Sequence, residues 1–114
     1  MTIRDVVGRL ELEILAQHDG LDNEVTGGYA SDLLSDVIAH SKTGNLWITL
    51  QTHRNIVAVA TLKELAAVVL VNGRTPDPET LEKAREEKVI LLGSQLSVFE
   101  LAGKLYQIGV RGSV

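Results

Sequence analysis

The run Ala67-Val68-Val69-Leu70-Val71 is apolar without interruption and stops at Asn72-Gly73. A short uncharged run of this kind, rich in β-branched side chains and cut by turn residues, marks a strand buried on both faces. Such strands belong to parallel sheets that helices cover. Leu46-Trp47-Ile48-Thr49-Leu50 reads as a strand bounded by turn residues, and Val89-Ile90-Leu91-Leu92 as another short buried one. Parallel neighbours need a long crossover. Ile56 to Leu62 is therefore read as a crossover helix, although its β-branched residues favour a strand. A second helix opens at Asp77-Pro78, with Asp at the cap and Pro at the first position. Its body, Glu79 to Lys88, is highly charged and offers little to a core beyond Leu81 and Ala84.

The flanking segments follow the same logic. Thr2 caps a short first helix, with Asp5 three residues on and Val6, Val7 and Leu10 on its apolar side. Glu11 to Leu15 alternates polar and apolar as a half-buried strand does, and His18-Asp19-Gly20 ends it. Val25 to Ala30 contains Gly27-Gly28, a pair expected to resist a regular element. From Ser31 the period becomes helical, with Leu33, Leu34, Val37 and Ile38 on one face and Asp32 and Asp36 on the other. Ser41 to Asn45 is a polar stop. Ser97 and Glu100 form a capping box ahead of a final amphipathic helix carrying Val98, Leu101, Ala102, Leu105 and Ile108. The alternation from Leu46 onward predicts an α/β fold with a mainly parallel central sheet. Right-handed crossovers put the loops after Leu50, Val71 and Leu92 on one rim, where ligands of such sheets usually sit.

Composition narrows the function. At 114 residues the chain is expected to form one domain, residues 1–114, with 45% hydrophobic residues to build a core. Cysteine is absent, which removes disulfides and sulfur-based metal or thiolate chemistry. The N-terminus lacks the basic-then-apolar order of a signal peptide, and no apolar stretch approaches the roughly 18 residues of a membrane span, so the expected location is cytoplasmic. A formal charge of −4 and only 4% aromatic residues argue against nucleic acid as a partner. The phosphate loop GxxxxGK[ST], the nucleophile elbow, HExxH and GxGxxG are all missing. His18, His40 and His53 show no metal-ligand spacing, and no cofactor or metal is expected.

The candidate site residues come from the rim loops and from the glycine pair. If Thr52 to Asn55 opens a helix, its free N–H groups face an anion, with His53 and Arg54 beside them; otherwise Thr52 or Asn55 only caps the helix. Thr26, Gly27 and Gly28, with Ser31 and Asp32 soon after, can bring backbone close to a ligand or serve only as a bulge or tight turn. Asn72 and Gly73 lie on the same predicted rim and otherwise form a turn.

The segment from Glu24 to Val37, EVTGGYASDLLSDV, resembles the DRTGG domain family, and so do Leu46 to His53 and Leu70 to Gly73. The similarity spans almost the whole chain, as in a stand-alone member. Thr26, Gly27 and Gly28 match the name motif; Glu24 and Val25 stand where the family has Asp and Arg, which removes a bidentate anion contact. The resemblance implies a three-layer α/β/α fold similar to the N-terminal domain of HPr kinase/phosphorylase, and a non-catalytic regulatory or assembly role. Three functions follow as expectations. The first is a module sensing a small anionic metabolite or nucleotide through Thr26, Gly27, Gly28, Ser31, Thr52, His53, Asn72 and Gly73. The second is an interaction module that forms a homodimer or docks a protein partner. The third, an enzyme using His53 as acid or base, requires a polar group oriented toward that ring.

Overall fold

The computed structural model describes residues 1–16 and 19–112. The expected turn at 18–20 therefore begins outside the described residues. The elements are α1 (Ile3–Leu10), β1 (Glu13–Ala16), a 3-10 turn (Asp19–Asp22), β2 (Gly27–Ala30), α2 (Leu34–His40), β3 (Asn45–Thr49), α3 (Asn55–Lys63), β4 (Ala67–Leu70), α4 (Pro78–Glu87), β5 (Leu91–Gly93) and α5 (Val98–Gln107). The five strands form one sheet in the order β1-β5-β4-β3-β2. β2, β3, β4 and β5 are parallel, and β1 joins the β5 edge antiparallel with a register irregularity between Ile14 and Ala16.

The two faces of the sheet separate cleanly. Leu46, Ile48, Ala67, Val69, Val71 and Leu92 pack with Ile3 and Val6 of α1 and Leu101 and Leu105 of α5. Their sequence neighbours Trp47, Val68, Leu70 and Leu91 point the other way, onto Val37 of α2, Ile56 and Val57 of α3 and Ala84 of α4. This is the three-layer α/β/α sandwich that uninterrupted apolar strands demand. Trp47 is fully buried, and its indole N–H donates to the Ser31 carbonyl at 2.8 Å. Among the described residues no helix is long and apolar enough to cross a membrane.

Several local expectations hold at the atomic level. Thr2 and Asp5 form a reciprocal capping box, Ser97 accepts from the Glu100 N–H, and Pro78 sits at the start of α4. Ile56 to Leu62 is helical within α3, with four of its residues buried.

Three expectations are corrected. Gly27 and Gly28 do not resist a regular element: they form the first half of β2, paired with Asn45 and Leu46. Neither has positive φ. Backbone pairing to β3 on one side and a hydrogen bond from Gly28 N to the Arg111 carbonyl (2.9 Å) on the other outweigh their weak strand preference. The first strand starts two residues late, because Glu11 adopts the left-handed conformation that ends α1. α2 starts at Leu34 and buries Val37, leaving Leu33 and Ile38 64% and 39% exposed. Ser31 to Leu33 is drawn out of the helix by its bonds to the end of β3, which shortens the predicted apolar face.

Packing assigns opposite roles to two residues two apart on α5. Leu101 is fully buried against the sheet and Phe99 is 84% exposed. Urea unfolding is expected to show a loss of about 2–5 kcal/mol for Leu101→Ala, and less than about 0.5 kcal/mol for Phe99→Ala.

Candidate functional site

The register of β2 divides the candidate residues. Gly27 lies opposite Asn45, the first residue of β3, and Ala30 lies opposite Ile48. Residues before β2 therefore sit at the N-terminal ends of the parallel strands, and residues after it at the C-terminal ends. Ser31, Thr52, His53, Asn72 and Gly73 all fall on the C-terminal rim. Thr26 and Gly27 are at the opposite end of the sheet, and Gly28 is inside the strand. The expectation of one site joining all eight residues is corrected: they form two groups separated by the length of the strands.

At the N-terminal end, Thr26 acts on the loop that feeds β3. Its hydroxyl donates to the Thr43 carbonyl (2.7 Å) and accepts from the Asn45 side-chain amide (3.2 Å), while its N–H donates to the Gly44 carbonyl (3.0 Å). Gly44 has φ +82°, and a Cβ there would lie 2.6 Å from Thr26 Cγ2. Thr26 and Gly44 are thus a matched pair. A cleft of about 390 Å³ opens beside them, lined in part by Glu24, Glu64 and Glu87. Glu64 and Lys88 cap the C-terminal ends of α3 and α4, whose dipoles are negative there. Three carboxylates and one lysine, Lys88, line this cleft, beside the C-terminal ends of α3 and α4. Among the described residues no group of acidic or histidine side chains has the arrangement of a metal site.

The C-terminal rim carries helix starts instead, with the carboxylates Asp32, Asp77 and Glu79 among them. α3, α4 and α5 all begin there, and neither α3 nor α4 has a side-chain N-cap. His53, Arg54 and Arg74 are exposed alongside, with Arg54 3.8 Å from Glu79. The loops are tied to one another. Asp32 Oδ1 accepts from Thr49 Oγ1 and from the Leu50 N–H, both at 2.8 Å, and Gln51 Nε2 donates to the Asp32 carbonyl. The Thr52 carbonyl accepts from the buried Thr80 hydroxyl (2.7 Å) and from Asp77 N (3.1 Å), which seats α4 on the β3 exit. Asn72 and Gly73 take φ of 56° and 63°, and their N–H groups donate to Leu96 and Ser94 carbonyls. The loops after β4 and β5 are stitched together in this way. They also leave the sheet toward opposite faces, to α4 and to α5, so a topological switch point lies between them.

Sequence reasoning set Asp32 on a helix and beside the glycine pair and missed its bonds to the end of β3, and it missed a second polar chain. The Tyr29 hydroxyl donates to Asp36 Oδ2 (2.7 Å), and His40 Nδ1 lies 3.0 Å from Asp36 Oδ1. The Tyr29 bond, with help from Ser31 and His40, holds the Asp36 carboxyl below its usual range, and the same bond raises the Tyr29 phenol. The i, i+4 spacing of Asp36 and His40 was the available signal. His53 has no side-chain hydrogen bond or ion pair among the described residues, so the carboxylate partner an enzyme reading would seek at His53 stands at His40 instead.

No family model and no curated protein matches the chain. Among solved structures it is similar to the crystal structure of the CBS and DRTGG domains of the regulatory region of Clostridium perfringens pyrophosphatase, complexed with the activator diadenosine tetraphosphate. The two share a fold. The TM-score is 0.69 at 13% identity, over 93% of this chain and 46% of that one, so this chain spans just under half of the neighbour's length.

The Thr26–Gly44 pairing has a measurable consequence. Gly44→Ala combines left-handed strain with a clash and is expected to cost about 2–4 kcal/mol in urea unfolding. Adding Thr26→Ala relieves the clash alone, so the double variant is expected to lose less than the sum of the singles.

Proposed function

We propose that this chain is a non-catalytic regulatory module of the DRTGG type that senses a small anionic metabolite or nucleotide at the C-terminal rim of its sheet. The observation that carries the reading is the convergence on that rim of the N-termini of α2, α3, α4 and α5 with the cations Arg54 and Arg74 and the His53 ring. Helix starts without side-chain caps offer N–H groups and a positive dipole end to an anion. The fold likeness to a pyrophosphatase regulatory region crystallised with a nucleotide activator supports the same class of role. Within the proposal, Ser31, Thr52, His53, Asn72 and Gly73 belong to the ligand rim. Thr26, Gly27 and Gly28 are assigned to the framework that sets β2 against β3.

A second reading rests on a separate observation. Phe99 and Tyr106 are 84% and 59% exposed, and Ala102 and Gly103 lie between them at helical spacing. That stripe is the kind of face an interaction module buries against a second copy or another protein.

A thermal-shift series separates the two. The sensing reading expects the melting temperature to rise by several degrees with a nucleotide or phosphorylated metabolite at about 100 times its dissociation constant, equivalent to about 2.7 kcal/mol. Arg54→Glu with His53→Ala is expected to reduce that rise. A melting temperature indifferent to every such ligand, yet rising with protein concentration in wild type and not in Phe99→Glu, would favour the interaction reading instead.

A further inference from the structure

Beside the switch point, the loop after β5 meets the end of α1 and one side of α5 around a cleft of about 510 Å³. That volume is within the roughly 300–1,000 Å³ of small-molecule sites. Arg9 from α1 and Lys104 from α5 line it. Both are exposed, and neither makes an ion pair among the described residues. Two cations from the last turns of different helices, 95 positions apart in sequence, line one cleft. Bonds to Thr2, with help from Arg9, hold the Asp5 carboxyl below its usual range.

The remaining lining specifies more than charge. Leu96 and Ile108 are half-buried and give the cleft an apolar side. Gln107 contributes a side-chain amide, and the buried Ser94 keeps a hydroxyl proton to donate, because its oxygen accepts from the Leu96 N–H at 3.1 Å. Glu11 adds one carboxylate, which accepts from hydroxyl groups and repels a second anion. Arg9 and Lys104 offer charge to a single anionic group, while the apolar side and Glu11 suit an uncharged, hydroxyl-bearing body.

We propose that this cleft binds a phosphate monoester carried on such a body, as in a nucleoside monophosphate. The inference rests on the sensing reading above and adds a second anion position at the β5 end of the rim, lined by none of Ser31, Thr52, His53, Asn72 and Gly73. Gln95 supplies the link to the rest of the rim. It lines the cleft, and its side-chain oxygen lies 2.5 Å from where a Cβ on Gly73 would be. A ligand that moves Gln95 therefore presses on the turn after β4.

The test is a ¹H–¹⁵N titration of the full chain with adenosine monophosphate, ribose 5-phosphate and adenosine. The two phosphorylated probes are expected to shift amides at 94–96 and 104–108, and adenosine is not. Lys104→Glu and Arg9→Gln, both surface changes, are each expected to weaken binding about tenfold or more. Shifts that leave 94–96 and 104–108 unmoved but appear at 52–55 and 72–74 would overturn the cleft while sparing the sensing reading. Equal response to adenosine, or indifference to Lys104→Glu, would also overturn it. No shift anywhere at millimolar probe would remove both.

Discussion

Burial of β3, β4 and β5 on both faces governs the rest of the structure. Leu46 to Thr49, Ala67 to Leu70 and Leu91 to Gly93 are all buried, so water must be excluded from either side of the sheet. One helical layer cannot do this. The chain supplies α2, α3 and α4 to one face and α1 and α5 to the other. Because the strands are parallel, every crossover begins at the same rim, and the helix N-termini collect there as a consequence of burial.

That geometry collects the C-terminal ends of α3 and α4 at one end of the sheet and the N-terminal ends of α2 to α5 at the other. The start of the strands holds helix C-termini and the carboxylates Glu24, Glu64 and Glu87. The exits hold helix N-termini, His53, Arg54 and Arg74, with Arg9 and Lys104 at the β5 side. The Thr26-Gly27-Gly28 segment belongs to the end where the strands start. Its threonine fixes the Thr43–Asn45 loop and its glycines admit close pairing, with the chain end lying along the outer edge of β2 through Gly28 and Gly112.

Much of the fold was legible because long apolar runs and caps act locally. Ala67 to Val71 announced a doubly buried strand, and Asp77-Pro78 and Ser97 to Glu100 announced helix starts. β2 was not legible: its glycines carry no strand signal, and its pairing comes from β3 and from residues about eighty positions later. The early end of the expected Ser31 helix was hidden for the same reason, since Asp32 is claimed by Thr49 and Leu50. Of the site, the rim loops were readable from the right-handed crossover rule. The assignment of Thr26 to that rim failed because a motif's position in sequence does not say which end of a strand it occupies. Arg9 and Lys104 gave no local signal, because only the α1–α5 layer brings them to one cleft.

The central claim is that the C-terminal rim, and not the motif end, responds to an anionic ligand. Hydrogen–deuterium exchange with and without adenosine monophosphate tests it directly. The account expects slower exchange at 52–55, 72–74 and 94–97, with 24–28 unchanged. Protection concentrated at 24–28, or confined to 99–106 and growing with protein concentration, would contradict it.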